Sequence, residues 1–174
     1  MDQTLKSFNF IPALLIALFL FLSVSCNQND EQRKFEREAI SLPQNITETN
    51  ENGKIVEGRE DPDDWRIGPF FQGVVYVEPL PFPNPLLTNQ RLNLNIFVTG
   101  VDGVSGLRVL VLYAESSDRP LYESNTSPLP TGVTSISLAA GDIARFDENP
   151  QGLYRIIVQD RRGVIITYGD VRIE

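Results

Sequence analysis

The stretch Arg91-Leu-Asn-Leu-Asn-Ile-Phe-Val-Thr99 alternates apolar and other side chains with a period of two. Successive side chains of a β-strand point to opposite faces, so this period is typical of a half-buried strand. One face is expected to be buried and to carry Leu92, Leu94, Ile96 and Val98, with Asn93 and Asn95 on the other face. The stretch therefore predicts a strand that contributes one side to an apolar core.

Further strands are predicted around it, because short segments rich in β-branched and aromatic residues are separated by turn signals. They cover residues 74–78, 107–113, 134–138, 153–160 and 164–168, with an edge strand at 120–123 and an extension of the last strand at 170–173. Gly163 occupies a hairpin position that needs positive φ. Residues 139–146 are expected to form one or two helical turns. About seven short strands in about 100 residues predict an all-β fold, an antiparallel immunoglobulin-like β-sandwich over residues 65–174.

The N-terminus has the pattern of a secretory signal. The apolar run Ile11–Leu22 is followed by small residues and Cys26, and then by the polar run 27–30. A membrane-spanning helix needs about 20 apolar residues, so this shorter run fits the core of a signal peptide better. An uncleaved anchor helix over residues 8–24 and an ordinary cleaved signal remain as alternatives.

The segment Leu22–Cys26 resembles the lipobox of bacterial lipoproteins, with Ser25 before the cysteine; it departs from the usual box because Leu22 lies four residues before Cys26. The resemblance implies a signal peptide over residues 1–25 and lipidation at Cys26, with membrane attachment through the lipid. Two or more acyl chains hold a protein firmly at a bilayer. The expected location is the cell envelope, at the outer membrane.

The segment 26–64 is polar and charged, with few large apolar residues. Such a composition buries too little surface to offset chain entropy, so it predicts a disordered tether between the lipid and the domain. A transient helix is expected within residues 27–38.

Composition narrows the possible functions. The formal net charge is −8, which opposes binding to nucleic-acid phosphates. There is no histidine and only one cysteine, so the usual general base and the usual zinc ligands are missing. The acidic run 60–64 lacks the pattern of a calcium loop. The sequence therefore predicts a protein without enzymatic activity, cofactor or metal.

The motif Phe82-Pro-Asn-Pro85, followed later by Gly152-Leu-Tyr154 and a hairpin at 160–163, resembles the C-terminal sorting domains of Bacteroidetes type IX secretion cargo. The likeness covers residues 74–174 and implies a small β-sandwich. It departs from that family in the cysteine that suggests lipidation and in the ending Arg172-Ile-Glu174. The resemblance is taken as evidence for the fold, and the sorting activity is not carried over.

Five residues form the candidate binding surface: Trp65, Phe70, Phe71, Phe82 and Asn84. The aromatic residues around Gly68-Pro69 present a platform for a sugar or peptide, or else seal one end of the sandwich. The main hypothesis is a surface-exposed lipoprotein whose sandwich is an interaction or assembly module for an envelope protein. The alternative is a carbohydrate-binding lipoprotein of a glycan-capture system, and burial of Trp65 would count against it.

Overall fold

The computed structural model describes residues 28–114, 117–144 and 149–174, and within them the fold is mainly β. The predicted signal peptide over residues 1–25 and the lipidation site Cys26 lie outside the described residues. Two antiparallel sheets face each other across an apolar core. The predicted all-β sandwich is thereby confirmed at the level of its two sheets.

Seven strands form the two sheets. They are β1 (Val75–Val77), β2 (Arg91–Val98), β3 (Arg108–Ala114), β4 (Ser117–Glu123), β5 (Gly132–Ala139), β6 (Gly152–Gln159) and β7 (Ile165–Ile173). The three-stranded sheet has the order β1-β2-β5, and the four-stranded sheet has the order β4-β3-β6-β7. Three short helical elements accompany them: α1 (28–39), a 3-10 turn (Pro69–Phe71) and α2 (Ala140–Ile143). The predicted strands are all present, and the last two predicted segments are one continuous β7.

The core follows the period-two pattern of β2. Its even-numbered side chains, Leu92, Leu94, Ile96 and Val98, are fully buried, as predicted. Across the core, β6 presents Tyr154, Ile156 and Val158, which belong to the same apolar cluster. The face of β2 that alternation predicted to be buried therefore packs against one face of β6.

The second face of the four-stranded sheet is also covered, by the segment 28–64. Helix α1 places Phe35 and Ala39 one turn apart against Ile157, Ile165 and Tyr168, in a second apolar cluster. Phe35 is 5% exposed and Ala39 is 0% exposed. The prediction of a disordered tether therefore does not hold for residues 28–64.

The prediction of disorder is wrong for the segment 28–64 because hydrogen bonds, more than apolar contacts, hold it to the domain. Its polar groups bond to the body of the domain: the Gln32 side chain donates to Ile165 O (3.0 Å), and the backbone N–H of Thr49 donates to Asn84 O (2.7 Å). A prediction of disorder from composition depends on the number of apolar residues that can be buried. It does not take account of hydrogen bonds to residues far away in the sequence. The sandwich and the segment 28–64 share one packed structure, and position 65 is no domain boundary.

The hairpin between β6 and β7 is set by a buried aspartate. Asp160 is 0% exposed, and its carboxylate accepts hydrogen bonds from the backbone N–H of Arg162 (2.9 Å) and of Val164 (3.0 Å). Gly163 completes the turn with φ of 84°, as predicted from its position.

Candidate interaction surface

The predicted aromatic platform is only partly on the surface. Trp65 is 4% exposed and Phe71 is 2% exposed, so both belong to the core, while Phe70 is 42% exposed. The indole of Trp65 lies against the backbone of Gly169 on β7, where an added Cβ would overlap the ring. These aromatics seal the sandwich, and Trp65 and Phe71 are not available to a ligand.

Asn84 is likewise a structural residue and is 1% exposed. Its side-chain N–H groups donate to Thr47 O and Asp170 O (both 2.9 Å), and its side-chain oxygen accepts from Arg172 N–H (3.1 Å). Phe82 is half-buried, and its backbone pairs with Asn93 of β2. The Phe-Pro-Asn-Pro motif therefore joins the segment 28–64 to β2 and β7, and its prediction as a binding surface is wrong for Asn84.

A polar cluster lies between the segment 28–64 and the four-stranded sheet. Arg155 of β6 and Asp170 of β7 form a buried two-point ion pair, with N–O distances of 2.7 and 2.8 Å. The Nη1 atom of Arg155 also donates to the carbonyl oxygens of Glu38 and Ser41 (both 2.9 Å). The guanidinium lies 5.0 Å from the centre of the Tyr168 ring.

Asp64 completes this cluster at a cleft of about 310 Å³. Its two carboxylate oxygens accept the backbone N–H of Thr47 (2.6 Å) and of Asp170 (2.8 Å). Burial raises the pKa of Asp64 to about 7, although the two hydrogen bonds oppose this effect. Each oxygen thus accepts one backbone N–H, and the carboxylate fastens the segment 28–64 to β7.

The outward face of the three-stranded sheet carries an apolar row that is not among the predicted site residues. Tyr76, Phe97 and Val133 are neighbours on β1, β2 and β5, because Tyr76 pairs with Phe97 and Phe97 pairs with Val133. All three are exposed, Val133 by 58% of its surface. Tyr76 and Phe97, with Glu78, line a shallow depression of about 370 Å³. The signal available in the sequence was Phe97, an aromatic residue at an outward position of a strictly alternating strand.

The same sheet ends in an open edge, which we define as the side of β5 that faces away from β2. Just past β5, the backbone N–H of Ala140 donates to Gln90 O (3.1 Å). Hydrogen-bonded and non-bonded partners alternate along an antiparallel pair, so the even-numbered residues of β5 bond to β2. The odd-numbered Val133, Ser135 and Ser137 therefore direct their backbone N–H and C=O groups to the open edge. Among the described residues, only the carbonyl of Ser137 has a partner there, the Arg91 side chain (2.6 Å).

The other sheet edges are protected. Strand β4 carries Pro120 and the exposed charges Asp118 and Arg119, and its pairing with β3 has two register shifts. Strand β7 is covered by hydrogen bonds to the backbone at Trp65, Gly68 and Leu86. Strand β1 is only three residues long. These are the usual protections against edge-to-edge pairing, and the only one at β5 among the described residues is the Arg91 side chain at the Ser137 carbonyl.

Comparison with protein-family models, with curated proteins and with solved structures finds no match for this chain. In the described part of the chain, no helix is both long and apolar enough to span a bilayer. Within the same residues, no three acidic or cysteine side chains are grouped so that they could hold a metal ion. The function is therefore inferred from the outward face of the three-stranded sheet and the open edge of β5.

Proposed function

We propose that this protein is a lipid-anchored protein of the bacterial cell envelope whose β-sandwich is a non-enzymatic interaction module. The observation that carries the interaction role is the outward face of the three-stranded sheet, where the apolar row Tyr76, Phe97 and Val133 borders the open edge of β5, a strand with no charged residue of its own. Exposed apolar groups beside unpaired backbone groups are typical of a surface that binds a protein strand. The anchoring role is supported by the signal-like N-terminus and Cys26.

We further propose that the sandwich is immunoglobulin-like. The supporting observations are the division into sheets β1-β2-β5 and β4-β3-β6-β7 and the hydrogen bond from the Tyr154 hydroxyl to Pro150 O (2.9 Å). A tyrosine near the start of the sixth strand that bonds back to the preceding backbone is the tyrosine corner of that class. The type IX sorting domains that the sequence resembles are also small β-sandwiches. Cross-strand contacts by nuclear magnetic resonance would check this topology, and pairing of β5 with β6, which joins the two sheets, would contradict it.

The glycan-capture alternative loses its main residue. Binding to sugar rings needs exposed, flat aromatic faces, and Trp65 and Phe71 are buried in the core. Phe70 alone is exposed in that region, on the 3-10 turn. The apolar row is set on a sheet beside an open edge, an arrangement that favours a protein partner over a glycan.

The non-enzymatic assignment is supported by chemistry. The sequence has no histidine, and among the described residues the one carboxylate whose pKa is raised toward neutrality, Asp64, has both oxygens bonded within the chain. A general base must reach a proton of the substrate, and both oxygens of Asp64 are directed at backbone N–H groups of Thr47 and Asp170. Turnover of a substrate that is abolished by substituting one carboxylate in a folded protein would overturn this assignment.

Two experiments on the full chain test the proposal. The first compares membrane fractions of wild type and Cys26→Ala; release or failed processing of the variant is expected, and an unmodified Cys26 thiol in the mature protein would refute lipidation. The second places a photo-crosslinking amino acid at Phe97 in living cells, with the exposed loop residue Thr88 as the matched control position. Adducts specific to position 97 are expected, and equal labelling at both positions would refute the interaction surface.

A further inference from the structure

We propose that the open edge of β5 pairs with the same edge of a second copy of this chain, in an antiparallel arrangement with two-fold symmetry. This inference rests on the proposed function and names the partner of the interaction module. Pairing would join the two three-stranded sheets into one continuous sheet across the dimer. An interface of this kind is isologous, because the same residues are contributed by both copies.

The edge is complementary to itself. If the two-fold axis passes beside Ser135, residues 132–138 of each copy lie opposite one another, and Val133 faces Ser137 of the second copy. Odd-numbered residues then meet odd-numbered residues, so the unpaired N–H and C=O groups of Val133 and Ser135 find partners. The outward faces also stay on the same side, and the apolar rows of both copies lie on one surface. Only the exposed Arg91 side chain must release the Ser137 carbonyl.

Charge favours this edge over the rest of the surface. The chain carries a formal net charge of −8, so most contacts between copies would bring like charges together. No charged residue lies between Gly132 and Ala139, so two copies of β5 meet without such repulsion. The edge also lacks proline and register shifts, in contrast with β4. Attachment of both copies to one membrane surface raises their effective concentration and favours a modest interface.

The test uses the full-length chain in cells, with Ser135→Cys and a short bis-maleimide crosslinker. Thr88→Cys is the control, because it adds the same thiol at an exposed loop and reveals any background through Cys26. A covalent dimer is expected for Ser135→Cys at several times the yield of the control. No dimer, an equal yield from Thr88→Cys, or adducts of Ser135→Cys with other proteins only would overturn the inference.

A second variant tests the hydrogen-bonding role of the edge. Adding Val133→Pro to Ser135→Cys removes an N–H that points away from β2, so the domain's own ladder is kept and the covalent dimer is expected to disappear. If that variant is not recovered in the membrane fraction, Val133→Lys replaces it, since an edge lysine blocks pairing through charge. Undiminished dimer in the folded variant would refute the pairing.

The outcomes at Phe97 and Ser135 separate this inference from the proposed function. Adducts of Phe97 with another protein, without a dimer through Ser135, would refute the dimer and keep the interaction module. Failure at both positions would refute both.

Discussion

Replacing Arg155 by methionine should release the segment 28–64 from the four-stranded sheet. The guanidinium pairs with buried Asp170 at 2.7 and 2.8 Å and donates to the carbonyl oxygens of Glu38 and Ser41. Removing one partner of a buried ion pair leaves an uncompensated charge and costs about 3–5 kcal/mol of unfolding free energy. Methionine keeps much of the apolar stem, so the loss reports mainly on the charge and its hydrogen bonds.

The matched control is Arg108→Met, on the neighbouring strand β3. Arg108 forms a surface ion pair with Glu123 at 3.4 Å, and such pairs contribute about 0–1 kcal/mol. Urea unfolding gives the two free energies, and amide hydrogen exchange reports on helix α1. We expect Arg155→Met to lose several kcal/mol and the protection of α1, and Arg108→Met to lose neither.

A double substitution separates the charge effect from packing. Arg155→Met combined with Asp170→Asn removes both charges, so the double variant should be more stable than the sum of the two single losses predicts. Equal, small losses for Arg155→Met and Arg108→Met, or unchanged protection of α1, would refute the argument that this ion pair holds the segment 28–64.

Three further predictions concern the core and the effect of pH. Ile96→Ala should cost about 2–5 kcal/mol, whereas Asn95→Ala on the opposite face should cost about 0.5 kcal/mol or less; equal losses would mean that the faces of β2 are misassigned. The Thr167 hydroxyl is buried without a hydrogen-bond partner, so Thr167→Val should raise the unfolding free energy by about 1 kcal/mol. The Thr47 hydroxyl bonds to the backbone of Asp61, so Thr47→Val should lower the unfolding free energy. Changes of the same sign in the unfolding free energies of the two variants, measured by denaturation, would count against this reasoning. The raised pKa of Asp64 means that its carboxyl group holds a proton more tightly in the folded state than in the unfolded chain. The contribution of Asp64 to the unfolding free energy is therefore fully present below about pH 4 and is lost as the pH rises to about 7. The loss is at most about 4 kcal/mol. The difference in unfolding free energy between wild type and Asp64→Asn should therefore change over that range, and a constant difference would show that the pKa is not raised.

Much of the candidate surface was within reach of the sequence, but it was not recognised. The outward position of Phe97 follows directly from the alternation of β2, and the absence of charge and proline in β5 is also visible in the sequence. What the sequence does not show is which strand of a sheet lies at its edge. That depends on the order β1-β2-β5, which pairs strands far apart in the chain.

By itself, the sequence determined the strands, the buried face of β2 and the hairpin at Gly163, because these depend on local alternation and on the backbone freedom of single residues. Only the tertiary structure decided that the segment 28–64 is ordered and that Trp65 and Asn84 are buried. Those outcomes depend on backbone and charged groups of β6 and β7, about 100 residues further along the chain, that meet this segment only after folding. Hydrogen bonds and an ion pair between distant residues leave no periodic pattern in a sequence, whereas an apolar face does.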